Sequence, residues 1–155
     1  PLLNDGPYFL SGHLELDREF GGFGPSNKRY DNILRAKRIP PSLGITDTLN
    51  DISSNTVIGV VATDAPLTRA NLKRIAIMAH DGIAKSLNPA HTPMDGDTIF
   101  SISTNQDHKE QVLENIDILA LGSRASDCVA RACNRAVYEA ISIGSSKPGW
   151  KSLFS

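Results

Sequence analysis

Two short stretches of this chain hold residue types that do chemistry. The first is Asn55-Thr56, where the polar run "DISSN" meets the apolar, β-branched run "TVIGVVAT" at residues 56 to 63. A threonine hydroxyl is a weak nucleophile unless a base lies beside it. An N-terminal threonine carries its own base, because its free α-amine takes the hydroxyl proton directly or through water. Exposing that amine requires a cut before Thr56. The same hydroxyl can make the cut by attacking the Asn55 carbonyl, giving an ester that water then hydrolyses. Such a device wants its threonine at the first position of a rigid strand, behind a polar loop. Asn55-Thr56 has that layout, and so does any loop that ends where a buried strand begins. The dipeptide alone leaves both readings open.

The second stretch is "NPAHTPMDGDTIF", residues 88 to 100. Asp95 and Asp97 flank Gly96 just ahead of a second apolar run. Two carboxylates this close can hold a hydroxyl and an ammonium in position, or share a proton when buried. Gly96 permits a tight backbone approach between them. A simple Asp-Gly-Asp turn is the competing reading. A cation site is a third, but the spaced Asp-x-Asp-x-Asp-Gly loop it would call for is absent. His91 lies in the loop leading to Asp95, where it could line a substrate pocket. His80, one residue from an apolar helix position, reads as a partly buried structural group. His13 and His108 have no comparable context. Cys128 and Cys133 are five apart in a helical pattern, which turns them away from each other by well over a quarter turn. They suit neither a disulfide nor a zinc set, since no second cysteine pair or nearby histidine accompanies them.

These residues need elements to position them. "TVIGVVAT" reads as a buried strand and "DTIFSIST", residues 97 to 104, as another. Between them, "RANLKRIAIMAHDGIAKSL" repeats Leu72, Ile75, Ala76, Ala79, Ile83 and Leu87 at steps of three and four, one apolar helix face. Thr68 is its expected N-cap and Asn88-Pro89 its end. A second helical region runs from about Val112 to Ile143, with Leu119, Val129, Ala132, Ala136, Val137 and Ala140 suited to close packing. Gly122 is placed to kink or divide it, and "GSSKPGWKSLFS" reads as terminal coil. The order strand, helix, strand, helix, with nearly fully apolar strands, predicts an α/β fold whose sheet is covered on each face. Two strands do not make a stable sheet alone. The rest must come from residues 1 to 55, from residues outside this chain, or from another subunit.

Residues 1 to 55 differ in character from residues 56 to 155, and the chain divides there. The first part carries Gly-Gly-Phe-Gly at 21 to 24, the charged run "NKRYDNILRAKR" and Pro40-Pro41, with no sustained period. It reads as an exposed connection, with "HLELDREF", residues 13 to 20, as a short strand. Over the whole chain, 40% of residues are apolar and 21% charged, ordinary for a globular protein with a core. A net charge of −1 offers no basic surface for nucleic acid. No apolar run reaches the roughly 18 residues of a membrane span. The start, "PLLNDGPYFL", lacks the charged and apolar blocks of a secretion signal, so cytoplasm is the default expectation. Without an initiator Met the chain reads as mature, trimmed or a fragment.

The order of four motifs carries a resemblance. Asn-Thr before a strand, "VVATDAPL", the helix "LKRIAIMAHDGIA" and "AHTPMDGDTIF" resemble the C-terminal half of the P1 peptidase family over about residues 54 to 143. That group contains the L-aminopeptidase/D-esterase DmpA, the β-peptidyl aminopeptidases and the nylon-oligomer hydrolases. The resemblance implies an αββα sandwich, similar in layout to N-terminal nucleophile hydrolases, of which this chain supplies part. It implies self-cleavage between Asn55 and Thr56, with Thr56 the nucleophile and Asp95 and Asp97 the pair that orients it. It further implies a peptide or small amide substrate, homo-oligomers of processed units, and no metal or cofactor. Residues 1 to 55 then form the tail of the α-chain portion and residues 56 to 155 the β-chain portion. The larger part of the family's α chain, including an oxyanion asparagine, has no counterpart here. Two other functions remain in view: an acyltransferase of the ornithine acetyltransferase type, and a non-catalytic assembly domain or inactive fragment. The residue-for-residue match at "AHTPMDGDTIF" favours the hydrolases.

Overall fold

A computed structural model of the chain describes residues 7–26, 56–93, 95–105, 113–143 and 149–154. Asn55, the Pro40-Pro41 connection and the charged run "NKRYDNILRAKR" lie outside the described residues, as do Val112 and His108.

Strand β1 spans Ile58–Thr63, helix α1 Arg69–Ser86, strand β2 Thr98–Ser103 and helix α2 Asn115–Glu139. A short helix α3, Trp150–Phe154, follows. β1 and β2 pair in parallel, with Ile58 opposite Thr98 and Thr63 opposite Ser103. Parallel neighbours need a crossover, and α1 is that crossover. Its start is the expected one: Thr68 is extended and its hydroxyl accepts from the Asn71 amide at 3.2 Å. Such a cap is worth about 1 kcal/mol. Leu87 leaves the helix in an extended conformation just ahead of Asn88-Pro89.

The apolar face of α1 buries Ile75, Ala79 and Ile83 against Leu67, Ile118, Ala125 and Val129. Two glycines bring α1 and α2 close. A Cβ at Gly82 would collide with the Ser126 carbonyl, and one at Gly122 with the Met78 side chain. Gly122 therefore does not divide α2, which runs unbroken through it because the glycine serves the helix crossing. The buried stripe of α2 is Ile118, Gly122, Ala125, Ser126, Val129, Ala130 and Asn134. Leu119, Ala132, Ala136 and Ala140, expected in the packing, lie on its exposed side.

The strands correct one expectation. Both alternate, with one face turned to the helices and the other bare. Val61 and Ile99 pack on the core, while Ile58, Val60, Phe100 and Ile102 are 71%, 62%, 55% and 47% exposed. Only one face of this pair is covered within the described residues. Beside β1 an apolar cavity of about 520 Å³ opens, walled by Val61, Leu67, Ile99, Leu121 and Val129. The described residues form a mixed α/β arrangement of one parallel strand pair and its helices, and do not display the αββα layering expected from the resemblance.

Residues 7–26 pack on the far end of α2. Phe9, Phe20 and Trp150 form a buried aromatic cluster with Tyr138 and Phe154 around it. The "HLELDREF" segment is a 3₁₀ turn, Gly12–Leu14, followed by tight turns rather than a strand. Asp17 and Arg18 sit at φ 50° and 58°. The Glu15 carboxylate accepts from the Phe20 and Gly22 amides at 2.9 and 2.8 Å, which holds those turns closed. Glu19 accepts from Arg131 Nη2 at 3.0 Å, and Asn134 Nδ2 donates to Ser11 Oγ at 2.7 Å. Trp150, read as coil, is buried by this cluster and starts α3. No helix among the described residues is long and apolar enough to cross a membrane.

Candidate active site

The chemistry-bearing residues meet at the N-terminal end of the parallel strands. Thr56 stands two residues ahead of β1, exposed to solvent. Its neighbour Val57 is held at both backbone groups. The Val57 amide donates to Asp97 Oδ1 at 2.9 Å, and the Val57 carbonyl accepts from the Thr98 amide at 2.8 Å. Holding both groups immobilises the residue that follows Thr56, so the threonine leaves the strand at a set angle. The Gly96 amide then donates to Thr56 Oγ1 at 3.3 Å. A Cβ on residue 96 would lie 3.2 Å from that oxygen, tighter than an ordinary contact, so glycine there permits the approach. With an N–H occupying one lone pair of Oγ1, the hydroxyl keeps its own proton to give to a base.

The two aspartates have different partners. Asp95 closes the loop ahead of it: its Oδ2 accepts from the Thr92 amide at 2.7 Å, and its own amide donates to the Thr92 carbonyl at 3.0 Å. Asp97 is a hub. Besides the Val57 amide on Oδ1, its Oδ2 bonds His91 Nδ1 at 3.1 Å, and its backbone carbonyl bonds His80 Nε2 at 3.2 Å. The Asp97 side chain is only 6% exposed, whereas His91 is 34% exposed. Each oxygen of this buried carboxylate meets one donor, an amide on Oδ1 and an imidazole N–H on Oδ2.

Both histidines therefore belong to this site. His91 lies where the sequence reading put it, in the loop before Asp95. His80, read there as structural, reaches the site from the middle of α1. The two rings stack, with centroids 4.2 Å apart and planes 14° from parallel. Acceptor geometry assigns their protons. A carbonyl and a carboxylate oxygen only accept, so His80 carries its proton on Nε2 and His91 carries one on Nδ1. Sequence reasoning missed three further participants: the amides of Val57 and Gly96, which no side chain marks, and His80. For His80 the clue was its place on the turn of α1 that faces the start of β2. Among the described residues no three His, Cys, Asp or Glu side chains gather into a metal-holding group.

Comparison with known proteins places this geometry in context. The sequence profile of peptidase family S58 matches residues 20–148. An "uncharacterized aminopeptidase" of Mycobacterium tuberculosis is 46% identical over 86 residues, covering 50% of this chain and 25% of that one. A protein of the same description from Mycobacterium leprae is 42% identical over 97 residues, 57% of this chain and 27% of that one. A 6-aminohexanoate-oligomer endohydrolase of Paenarthrobacter ureafaciens is 30% identical over 71 residues, 46% of this chain and 18% of that one. The chain thus spans about a quarter of the length of the mycobacterial relatives.

Proposed function

This chain belongs to peptidase family S58, the DmpA group its motifs resemble, and from that membership we propose that it carries the nucleophile of a self-processing amidohydrolase. The nucleophile is Thr56. In the unmasking step, Thr56 Oγ1 bonds to the Asn55 carbonyl carbon and the Asn55–Thr56 C–N bond breaks. The hydroxyl proton passes to the departing nitrogen, which becomes the α-amine of Thr56. Water then splits the resulting ester, returning the hydroxyl to Thr56 and leaving a carboxylate on Asn55. In turnover the same oxygen attacks a substrate amide, with the α-amine taking its proton and passing it to the leaving amine. The acyl-enzyme on Thr56 is then hydrolysed. Asp97, and Asp95 through the loop it closes, orient the nucleophile.

The observation that carries this reading is the clamp on Val57 together with the Gly96 amide on Thr56 Oγ1 at 3.3 Å. One bond reaches the hydroxyl and two fix the backbone of the residue that follows it, which is how a nucleophile is held in a set direction. The substrate class is peptides or small amides, matching the names of the relatives. The bare sheet face at Val60 and Phe100 and the cavity beside β1 are where the further layers of an αββα sandwich would pack. Assembly into homo-oligomers of processed units is part of the same proposal.

The test is intact mass of protein made from the complete reading frame, beside a Thr56→Ala version. Two fragments meeting at Asn55/Thr56 in the parent, and one uncut mass in the variant, are expected. A single mass in both, from folded protein, overturns the nucleophile.

A further inference from the structure

We propose that His91, braced by His80, is the positioning residue that holds Asp97 on the Val57 amide and so aims Thr56. This inference rests on the proposed nucleophile and adds a role that neither the motifs nor the relatives' names assign.

The support is geometric. His91 sits at φ 55°, in the left-handed region. A non-glycine side chain there is strained, and surrounding contacts hold it in place. What the distortion gains is the Nδ1 bond to Asp97 Oδ2 at 3.1 Å. That bond leaves Oδ1 free for the Val57 amide, so the carboxylate cannot rotate away from it. His80 braces the arrangement twice, by stacking on the His91 ring and by donating Nε2–H to the Asp97 carbonyl. The chain of contacts runs from α1 through two imidazoles to the residue after Thr56. His91 does not touch Thr56 itself; its effect passes through Asp97.

Donor position makes the idea testable. The Nδ2 of asparagine occupies about the place of the histidine Nδ1, and asparagine tolerates the left-handed region well. Glutamine places its nitrogen one bond further out. We would make His91→Asn, His91→Gln and His91→Ala in the complete protein. Self-cleavage rate, melting temperature and hydrogen exchange at the Val57 amide would be measured on each. Self-cleavage has no separate substrate, so a change in its rate is not a change in substrate binding. The expected result is His91→Asn within about threefold of the parent and the other two slowed at least tenfold. Val57 exchange should rise in the slow variants alone, in proteins that melt within a few degrees of one another.

Equal cleavage rates in all three variants and the parent overturn the positioning role while leaving Thr56 as nucleophile. An uncut parent whose Val57 exchange still rises in His91→Ala overturns the nucleophile and keeps the positioning contact. Unchanged Val57 exchange in His91→Ala overturns the contact whatever the cleavage rates.

Discussion

The two ends of the same parallel strand pair are built for different purposes. At the C-terminal end, hydroxyls tie strand to loop: Ser103 Oγ donates to the Ala65 carbonyl at 2.7 Å and Thr104 Oγ1 to the Thr63 carbonyl at 3.3 Å. At the N-terminal end the bonds converge on a residue ahead of the ladder and include a carboxylate 6% exposed. Open α/β sheets usually bind ligands at the C-terminal ends of their strands. Here the end nearest Thr56 holds the concentration of charge, stacked imidazoles and a left-handed residue. The contrast is one of means: a left-handed residue and a buried carboxylate gather at the end nearest Thr56, while hydroxyl-to-carbonyl bonds fasten the other end.

Substitutions at the two ends break or sharpen that contrast. The largest effect belongs to Asp97→Asn. Asparagine has a single acceptor oxygen for two donors, the Val57 amide and His91 Nδ1–H, so one of them loses its partner. Self-cleavage should slow about 100-fold, followed by gel or mass time course, with near-ultraviolet circular dichroism unchanged. A rate within threefold of the parent would remove Asp97 from the aiming machinery.

Ser103→Ala at the other end should behave in the opposite way. The Ala65 carbonyl keeps the Leu67 amide at 2.8 Å but loses the hydroxyl, and the Asn105 amide loses its bond to Ser103 Oγ, together costing about 1 kcal/mol. Denaturant unfolding should register that loss while the cleavage rate stays at the parental value. Slowed cleavage with unchanged stability would mean that the two ends are coupled rather than separate.

The smallest effect lies outside the strand pair, at Glu19 on Arg131. The guanidinium bonded to Glu19 holds its carboxyl below the ordinary carboxylate range. A depressed folded value means the pair stabilises fully above the ordinary value of 4.5 and loses that contribution as the pH falls through the depressed one. Trp150 fluorescence should report loosening of the residue 7–26 packing in acid, with Glu19→Gln lacking the step and losing about 1 kcal/mol or less at neutral pH. An identical acid profile in parent and variant would assign the loosening to other carboxylates.

Much of the fold was legible because its cues are local. The step of three and four in residues 72 to 87, the Thr68 cap and the two β-branched or aromatic runs each mark an element within a dozen residues. Near-uniform apolarity in β1 hid which face would pack. In β2 the covered face is the one bearing Ser101 and Ser103, whose hydroxyls bond the Leu72 and Ala65 carbonyls while Phe100 and Ile102 lie bare. Trp150 and the turns around Phe20 were misread because their order comes from one another and from Tyr138, and no period links them.

The site divides along the same line. Residue type and spacing raised Thr56, Asp95, Asp97 and His91 as candidates beside plainer readings, and the order of the motifs pointed to the family that the profile match supports. Tertiary structure alone decided which of them touch. Thr56 meets Gly96, and Val57 meets Asp97, across 40 residues of sequence. Those bonds exist only once α1 has carried the chain back and set Ile58 beside Thr98 in parallel register. His80 joins for the same reason. Short-range preferences are written in consecutive side chains, whereas a bond between backbone amide and distant carboxylate depends on how whole elements pack.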